Sequence, residues 1–377
     1  MNRNSSVIKK MAETCLAGIT EKEETITLNQ VPLVKTDDCA VISILSSGVC
    51  GTDPHIFSGK RVGATYPTIQ GHEICGRIEH LGKSFSCKPG DHIAIGDRVI
   101  LVPGKACGTC HYCITYPHQE HLCVNRGIYG VTLRCDRPPY LIGGFAQKVV
   151  ITSGYWLFLL PKDIPDEIGC LTEPLAVAIH AVERGVGMNM PTAQYGPGLY
   201  PTIIIQGAGP IGLLTAITCR SIGAHVIITD ILEHRVSFAK ELKLHAVLLP
   251  RKEGRVLALR KETKGIGADI AIDCAGTPEA FEEGIQMVRR GGRYIELGNF
   301  ADSGEALVKP SYICRNDLEI FGSVIASPWD FGRAIQLLQK DAALFQKLIT
   351  HRFRIEETEK AIINVKEKHG IKTIIVP

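Results

Sequence analysis

The ten residues Ile203-Ile-Ile-Gln-Gly-Ala-Gly-Pro-Ile-Gly212 constrain the fold of this chain more than any other stretch. A β-branched run feeds three glycines, Gly207, Gly209 and Gly212, in G-x-G-x-x-G spacing, and a helix-length apolar segment, Ile211–Ile222, follows. That context turns three weak glycines into a dinucleotide signature. Gly207 permits the tight turn, Gly209 lets backbone approach a pyrophosphate, and Gly212 allows close helix–strand packing. With Pro210 and Ile211 opening the helix, its free N–H groups face the phosphates. Asp230 ends the next strand candidate, eighteen residues after Gly212. A carboxylate there accepts from ribose hydroxyls and repels a 2′-phosphate; no Arg follows it directly, so NAD is expected over NADP. Arg235, on the following helix candidate, joins the expected coenzyme contacts.

The same alternation extends from about Pro174 to Ala326. Strand candidates at Ile203–Gln206, Val226–Thr229, Ala246–Leu249, Asp269–Asp273, Tyr294–Leu297 and Glu319–Val324 are separated by helix-length segments. An α/β, doubly wound, parallel six-stranded sheet is expected. Upstream, from Ile26 to Ile151, short apolar runs broken by Gly, Pro and Asp predict an all-β unit with many turns. After Ser327, one helix (Asp330–Lys340) and two short strands are expected to return to that first unit. The expected division is 1–177, with a cysteine lobe at 104–126, then 178–326 and 327–377. The Gly- and Pro-rich stretch Gly185–Tyr200 is long for a loop in a compact domain, and reads as a surface excursion or a lid or subunit contact.

Fourteen cysteines in 377 residues, behind a polar N-terminus without an apolar signal core, read as reduced thiols and metal ligands in a cytoplasmic protein. A net charge of +3 without a long basic run gives no reason to expect nucleic acid or a membrane surface as partner. Cys107, Cys110, Cys113 and Cys123 form C-x2-C-x2-C-x9-C. Four thiolates suit tetrahedral Zn²⁺ with no open position, a structural site, against free thiols as the alternative. An iron–sulfur cluster shares the opening spacing but continues with three residues and Cys-Pro, where this chain has nine residues and Cys-Val. A second group is scattered: Cys50, His72, Glu73 and Glu173. Each alone is more often structural, yet mixed sulfur, nitrogen and oxygen ligation is compatible with a catalytic zinc. Thr52 and His55, near Cys50, could relay a proton from a metal-bound alcohol.

Together, Cys50-Gly-Thr-Asp-Pro-His55, Gly71-His-Glu73, the four cysteines, Glu173-Pro-Leu-Ala-Val-Ala, the glycine turn and Gly291-Gly-Arg resemble the zinc-dependent medium-chain dehydrogenases of the alcohol, sorbitol and threonine dehydrogenase superfamily. Glu at position 173 is similar to the polyol and threonine branch. The resemblance implies a GroES-like catalytic domain, a Rossmann coenzyme domain and a cleft between them. It implies two zinc ions per chain. Cys50 and His72 would be ligands of the catalytic one, with Glu73 and Glu173 direct or through water. Asp53 would orient His72. The implied reaction is NAD-dependent oxidation of a secondary, polyol- or threonine-like alcohol, with Thr52 and His55 passing the proton out. A zinc-free quinone or enoyl reductase on the same fold, or a non-catalytic nucleotide-binding protein, is the competing reading. A homodimer or homotetramer paired near Glu319–Val324 is also implied. The substrate pocket is expected between Ser58 and Tyr66, near Tyr129 and around Phe300.

Overall fold

The computed structural model describes residues 13–61, 63–89, 93–187, 200–250, 254–298 and 303–377. Most of the Gly- and Pro-rich stretch, and Phe300, lie outside them. In the first half, the strand β1 (Cys39–Val49), the short helix α1 (Thr52–Phe57) and the strand β2 (Glu73–Leu81) follow one another. β1 is buried along almost its whole length, which fits its apolar sequence and its central place. It pairs antiparallel with β2 and with Lys148–Thr152. Helix α2 (Thr172–Val186) then crosses to the second half, and the boundary expected between residues 177 and 178 lies within it.

The second half holds strands β3 (Thr202–Gln206), β4 (His225–Asp230), β5 (His245–Leu248), β6 (Ala268–Asp273), β7 (Val288–Glu296) and β8 (Glu319–Gly322), with helix α3 (Pro210–Ser221) after β3. They form one parallel sheet in the order β5-β4-β3-β6-β7-β8. This is the doubly wound nucleotide-binding order, reversing at β3, and every expected strand is present. β8 forms an edge of the sheet.

After β8, helix α4 (Pro328–Lys340) opens with a capping box from Ser327 and Asp330 and packs on α2. The last strand, β9 (Lys372–Val376), inserts antiparallel beside β1 and parallel to Ile349–Arg354. Two registers then decide the site. Gly48 faces Glu73 across β1 and β2, and Val49 faces Thr373 across β1 and β9. The end of the central strand is thereby flanked by Glu73 on one side and Lys372 on the other. A single apolar cluster runs from Cys75 and Ile100 through Leu175 and Ile179 of α2 to Ile203 and Ile270 of the parallel sheet, joining the two halves.

Ile374 of β9 is fully buried in this cluster. Ile374→Ala is expected to lower the unfolding free energy by about 2–5 kcal/mol in chemical denaturation. A loss under about 1 kcal/mol, at the level of conservative core swaps, would mean that the tail strand is not part of the cooperative core.

Candidate active site

Cys50 follows the last residue of β1, and its backbone N–H donates to Asp53 Oδ2 at 2.8 Å. Asp53 is fully buried, and its other carboxylate oxygen accepts from Gln70 Nε2 at 3.1 Å. Gln70 is held in turn by the Thr20 hydroxyl. The expected bond from Asp53 to His72 is absent. Asp53 is spent on the Cys50 loop, and His72 Nδ1 is buried without a hydrogen-bond partner among the described residues. An orphaned buried nitrogen of that kind fits a metal ligand.

Ligating atoms of Cys50, His72 and Glu73 lie within 4.8 Å of one another. Glu173, in the first turn of α2, is buried and lines the same cavity as Cys50 and His72 without joining that tight group. Burial, with the Glu73 charge adding to it, pushes the Cys50 thiol up to about 11. Burial likewise pushes the Glu173 carboxyl up to about 8. Two acids pushed this far gain from a divalent cation, whose charge reverses both shifts.

Glu73 has a second partner. Lys372 Nζ donates to its Oε1 at 2.7 Å and also lies against its Oε2, with both residues buried. The ammonium donates further to the Val49 carbonyl at 3.1 Å. Burial works against the Lys372 charge, but the Glu73 carboxylate outweighs it and the pKa ends above the ordinary value. A Cβ on Gly48 would sit 1.7 Å from Glu73 Oε2, so only glycine leaves room for the pair.

Thr52 and His55 are one turn apart on α1, and both line the cavity. The Thr52 hydroxyl lies 3.6 Å from Cys50 Sγ. Burial lowers the His55 pKa, with the Lys60 charge adding to it.

In the cysteine lobe, Cys110 caps a short helix, His111–Thr115, that carries Cys113. The sulfur separations are 3.5 Å for Cys110–Cys113 and 4.0 Å for Cys107–Cys113 and Cys110–Cys123. A tetrahedron of ~2.3 Å zinc–sulfur bonds has edges of about 3.8 Å, so the four sulfurs already frame an ion. Hydrogen bonds from the Thr109 N–H and hydroxyl pull the Cys107 thiol down to about 5, ready to ligate as thiolate.

At the coenzyme end, Gly207 has φ of +95°, and a Cβ on Gly212 would lie 1.8 Å from the Gly207 carbonyl oxygen. Both glycines are therefore required. Gly209 caps α3, which Pro210 and Ile211 open, and Ile211 lines the cavity. Asp230 Oδ2 accepts from the Ala208 N–H at 2.8 Å and Oδ1 from the Leu232 N–H at 2.9 Å. Arg235 lies 3.6 Å from Asp230 and borders the space beside Gly209. No Arg is adjacent to Asp230 in sequence, yet the fold brings one to it.

Residues 36–162 match the alcohol dehydrogenase GroES-like domain, and residues 210–340 match the zinc-binding dehydrogenase domain. The D-arabitol-phosphate dehydrogenase of Enterococcus avium is 31% identical over 90% of this chain and 90% of its own length. The chain belongs to the zinc-dependent medium-chain dehydrogenases/reductases. It is an oxidoreductase of the CH–OH-acting alcohol dehydrogenase type, with the GroES-like plus Rossmann architecture of that family. The crystal structure of an alcohol dehydrogenase from Thermotoga maritima superposes with a TM-score of 0.86 at 26% identity, covering 97% of this chain and 99% of that one. A structure described as a zinc-binding dehydrogenase from Sinorhizobium meliloti 1021, bound to NADP, gives a TM-score of 0.82 at 26% identity, covering 97% and 99%. Zinc and a nicotinamide cofactor thus go with the family.

In this medium-chain dehydrogenase, the described part of the expected pocket lining is found. Arg61 lines the cavity, as expected for the Ser58–Tyr66 stretch. Tyr129 does not. Its ring is buried and its hydroxyl donates to the Val150 carbonyl, whereas its neighbours Ile128 and Val131 line the cavity. Lys372 and Arg126 were not singled out from sequence. A lysine inside the apolar run Ile371–Val376 was the available signal for the first. No helix among the described residues is long and apolar enough to cross a membrane.

Two outcomes test this electrostatic arrangement. Lys372→Met leaves Glu73 buried without its cation and is expected to cost about 3–5 kcal/mol by chemical denaturation. Adding Glu73→Gln should recover most of that loss, and a single variant of wild-type stability would contradict the pairing. In metal-stripped protein, Glu173 holds its proton up to about pH 8, against an ordinary 4.5. The folded state then binds more protons than the open chain in that window, so its stability falls as pH rises through it. The melting-temperature gap between zinc-loaded and stripped protein should widen between pH 5 and 8. A gap independent of pH would contradict the account.

Proposed function

We propose that this chain oxidises a secondary alcohol of a polyol-like substrate to the ketone, with NAD⁺ as hydride acceptor and one catalytic and one structural zinc per chain. The convergence of Cys50, His72 and Glu73, with Glu173 on the same cavity, carries the reading. The polyol class is supported by the arabitol-phosphate dehydrogenase relative and by Glu at position 173.

When bound, zinc would supply Lewis acidity at the substrate hydroxyl and the nicotinamide would supply the hydride acceptor. Cys50 and His72 hold the metal, and Glu173 completes its set directly or through water. Lys372 donates to Glu73 and turns its carboxylate toward β9, leaving it as an adjustable neighbour of the metal. Asp53 fixes the Cys50 loop through the backbone N–H, which sets where the sulfur points. Thr52 accepts the hydroxyl proton of the substrate as it passes its own on toward His55, which is partly open to solvent, has a depressed pKa and takes that proton as a base. Gly207, Gly209, Pro210, Ile211 and Gly212 bind the pyrophosphate through backbone N–H groups. Asp230 reads the ribose hydroxyls, with Arg235 held against its carboxylate. Cys107, Cys110, Cys113 and Cys123 clamp the second zinc and stabilise their lobe. The chain assembles as a homodimer or homotetramer through the β8 edge and works in the cytoplasm.

The test is an NAD⁺-reduction screen across polyols, threonine and simple alcohols, with metal analysis of wild type and Cys50→Ala. Wild type should favour polyols and prefer NAD⁺ over NADP⁺ by about tenfold or more in kcat/KM, the loss expected from one repelled phosphate. Cys50→Ala should fall from two zinc ions per chain toward one and lose activity while NADH binding persists. Full activity in that variant, or equal use of both coenzymes, would contradict the corresponding assignment.

A further inference from the structure

Gln206, Asp273 and Glu296 end β3, β6 and β7 and stand opposite one another in register, one row along the carboxyl edge of the parallel sheet. In a doubly wound sheet the coenzyme binds outside that edge. Asp273 and Glu296 have no part in the reaction as proposed. Asp273 is fully buried, and Glu296 is half-buried beside it. Their carboxyl groups share a hydrogen bond, which two carboxyls can make only with a proton on one of them. Asp273 Oδ1 accepts from the Ala275 N–H at 2.7 Å and the Gly276 N–H at 3.2 Å. Glu296 Oε2 accepts from the Tyr294 hydroxyl at 3.3 Å. Burial and the Glu296 charge push Asp273 up to about 7, against the pull of the two N–H groups.

The other groups facing the pair are the Gln206 amide on β3, the Cys274 thiol after β6, the Tyr294 hydroxyl on β7, and Gly322 opposite Glu296 on β8. Burial pushes the Cys274 thiol and the Tyr294 hydroxyl up, so both stay neutral. The helix Pro278–Met287 packs on both strands but directs Glu283 to Arg255 and Glu282 to the Leu307 N–H. What the pair joins is the floor of the cleft. The turn after β6 packs backbone to backbone on the turn after β7. A Cβ on Gly276 would lie 2.4 Å from the Gly298 carbonyl oxygen, and one on Gly298 would lie 2.4 Å from the Gly276 nitrogen. The same turn backs the dinucleotide glycines, because a Cβ on Gly207 would meet Ala275 at 3.1 Å. Cys274, Leu297 and Gly298 line the cavity that holds Cys50 and His72, where the reacting end of the coenzyme must reach the metal side. A singly protonated pair clasps the two turns. With that proton gone, two carboxylates side by side push them apart.

We propose that Asp273 and Glu296 share one proton and, by clasping the turns 274–276 and 297–298, position the nicotinamide end of the coenzyme, so that coenzyme affinity falls when the proton is lost. This rests on the dehydrogenase reading of the same cleft. Both are positioning residues, acting through the turns that line the cavity. Coenzyme binding favours the clasped pair and so raises its proton affinity. A rise of about one pKa unit makes binding about tenfold tighter below the pair's titration than above it.

The experiment titrates the zinc-loaded enzyme with NADH between about pH 6 and about pH 9, spanning the pair's titration. In parallel, infrared spectra of the coenzyme-free enzyme follow the carbonyl stretch of protonated carboxyl groups. In the wild type the NADH Kd should rise about tenfold across that range. Glu296→Gln can hydrogen-bond Asp273 without a shared proton. Its NADH Kd should therefore stay flat, and its spectrum should lack the carboxyl that the wild type loses toward high pH. Asp273→Ala should weaken NADH at every pH and raise KM for NAD⁺ more than KM for the alcohol. Asp273→Asn, which can still accept from the turn and donate to Glu296, should restore most of that loss. A wild-type NADH Kd independent of pH, or one that Glu296→Gln leaves equally steep, overturns the clasp and leaves the dehydrogenase standing. So does an infrared signal that Glu296→Gln does not change. Failure of NADH to bind at any pH overturns the coenzyme reading and the proposal with it.

Discussion

The buried ion pair between Glu73 and Lys372 is the interaction around which the cleft is arranged. Its partners are 299 residues apart in the chain and meet only because β9 returns to lie beside β1. The Gly48–Glu73 and Val49–Thr373 registers put one partner on each flank of the central strand, and Gly48 leaves the space their contact needs. A slip of either register by one residue would turn its side chain to the other face. The strand end that carries Cys50 would then lose its electrostatic frame. The tail of the chain, far from the motifs in sequence, is therefore part of the site.

The rest of the cleft follows from two elements reaching across it. Helix α2 brings Glu173 in its first turn and continues into the core that supports the parallel sheet. The glycine turn after β3 opens α3 toward the same cavity, which Ile211 lines. The apolar cluster running through α2 ties the metal side to the coenzyme side. The two reacting partners can then be held at fixed separation without a residue that touches both.

Much of this was legible in the sequence because its signals are local. The glycine spacing, the β-branched strands and the four cysteines within seventeen residues each carry their geometry over a short span. The six parallel strands follow from that alternation, while their order in the sheet is read only from the structure. What failed was long-range or competitive. Asp53 was expected on His72, but the nearer Cys50 N–H and the Gln70 amide take its oxygens. The lining was expected near Tyr129, and Ile128 and Val131 supply it, while the Tyr129 hydroxyl takes the Val150 carbonyl and its ring stays in the core. Arg235 was expected among the coenzyme contacts, but its approach to the Asp230 carboxylate, five residues back, comes only from the turn into the next helix. Arg126 could not be read at all, since its place in the cavity wall depends on Gly104, 22 positions upstream.

The central claim is that two zinc ions occupy each chain, one in the cleft and one in the cysteine lobe. Anomalous diffraction at the zinc edge from crystals of zinc-loaded protein tests it most directly. The account predicts two peaks. One lies about 2.3 Å from Cys50 Sγ and about 2.0–2.1 Å from a His72 ring nitrogen, and the other is centred among Cys107, Cys110, Cys113 and Cys123. A single peak in the lobe, with nothing near Cys50 and His72, would contradict it.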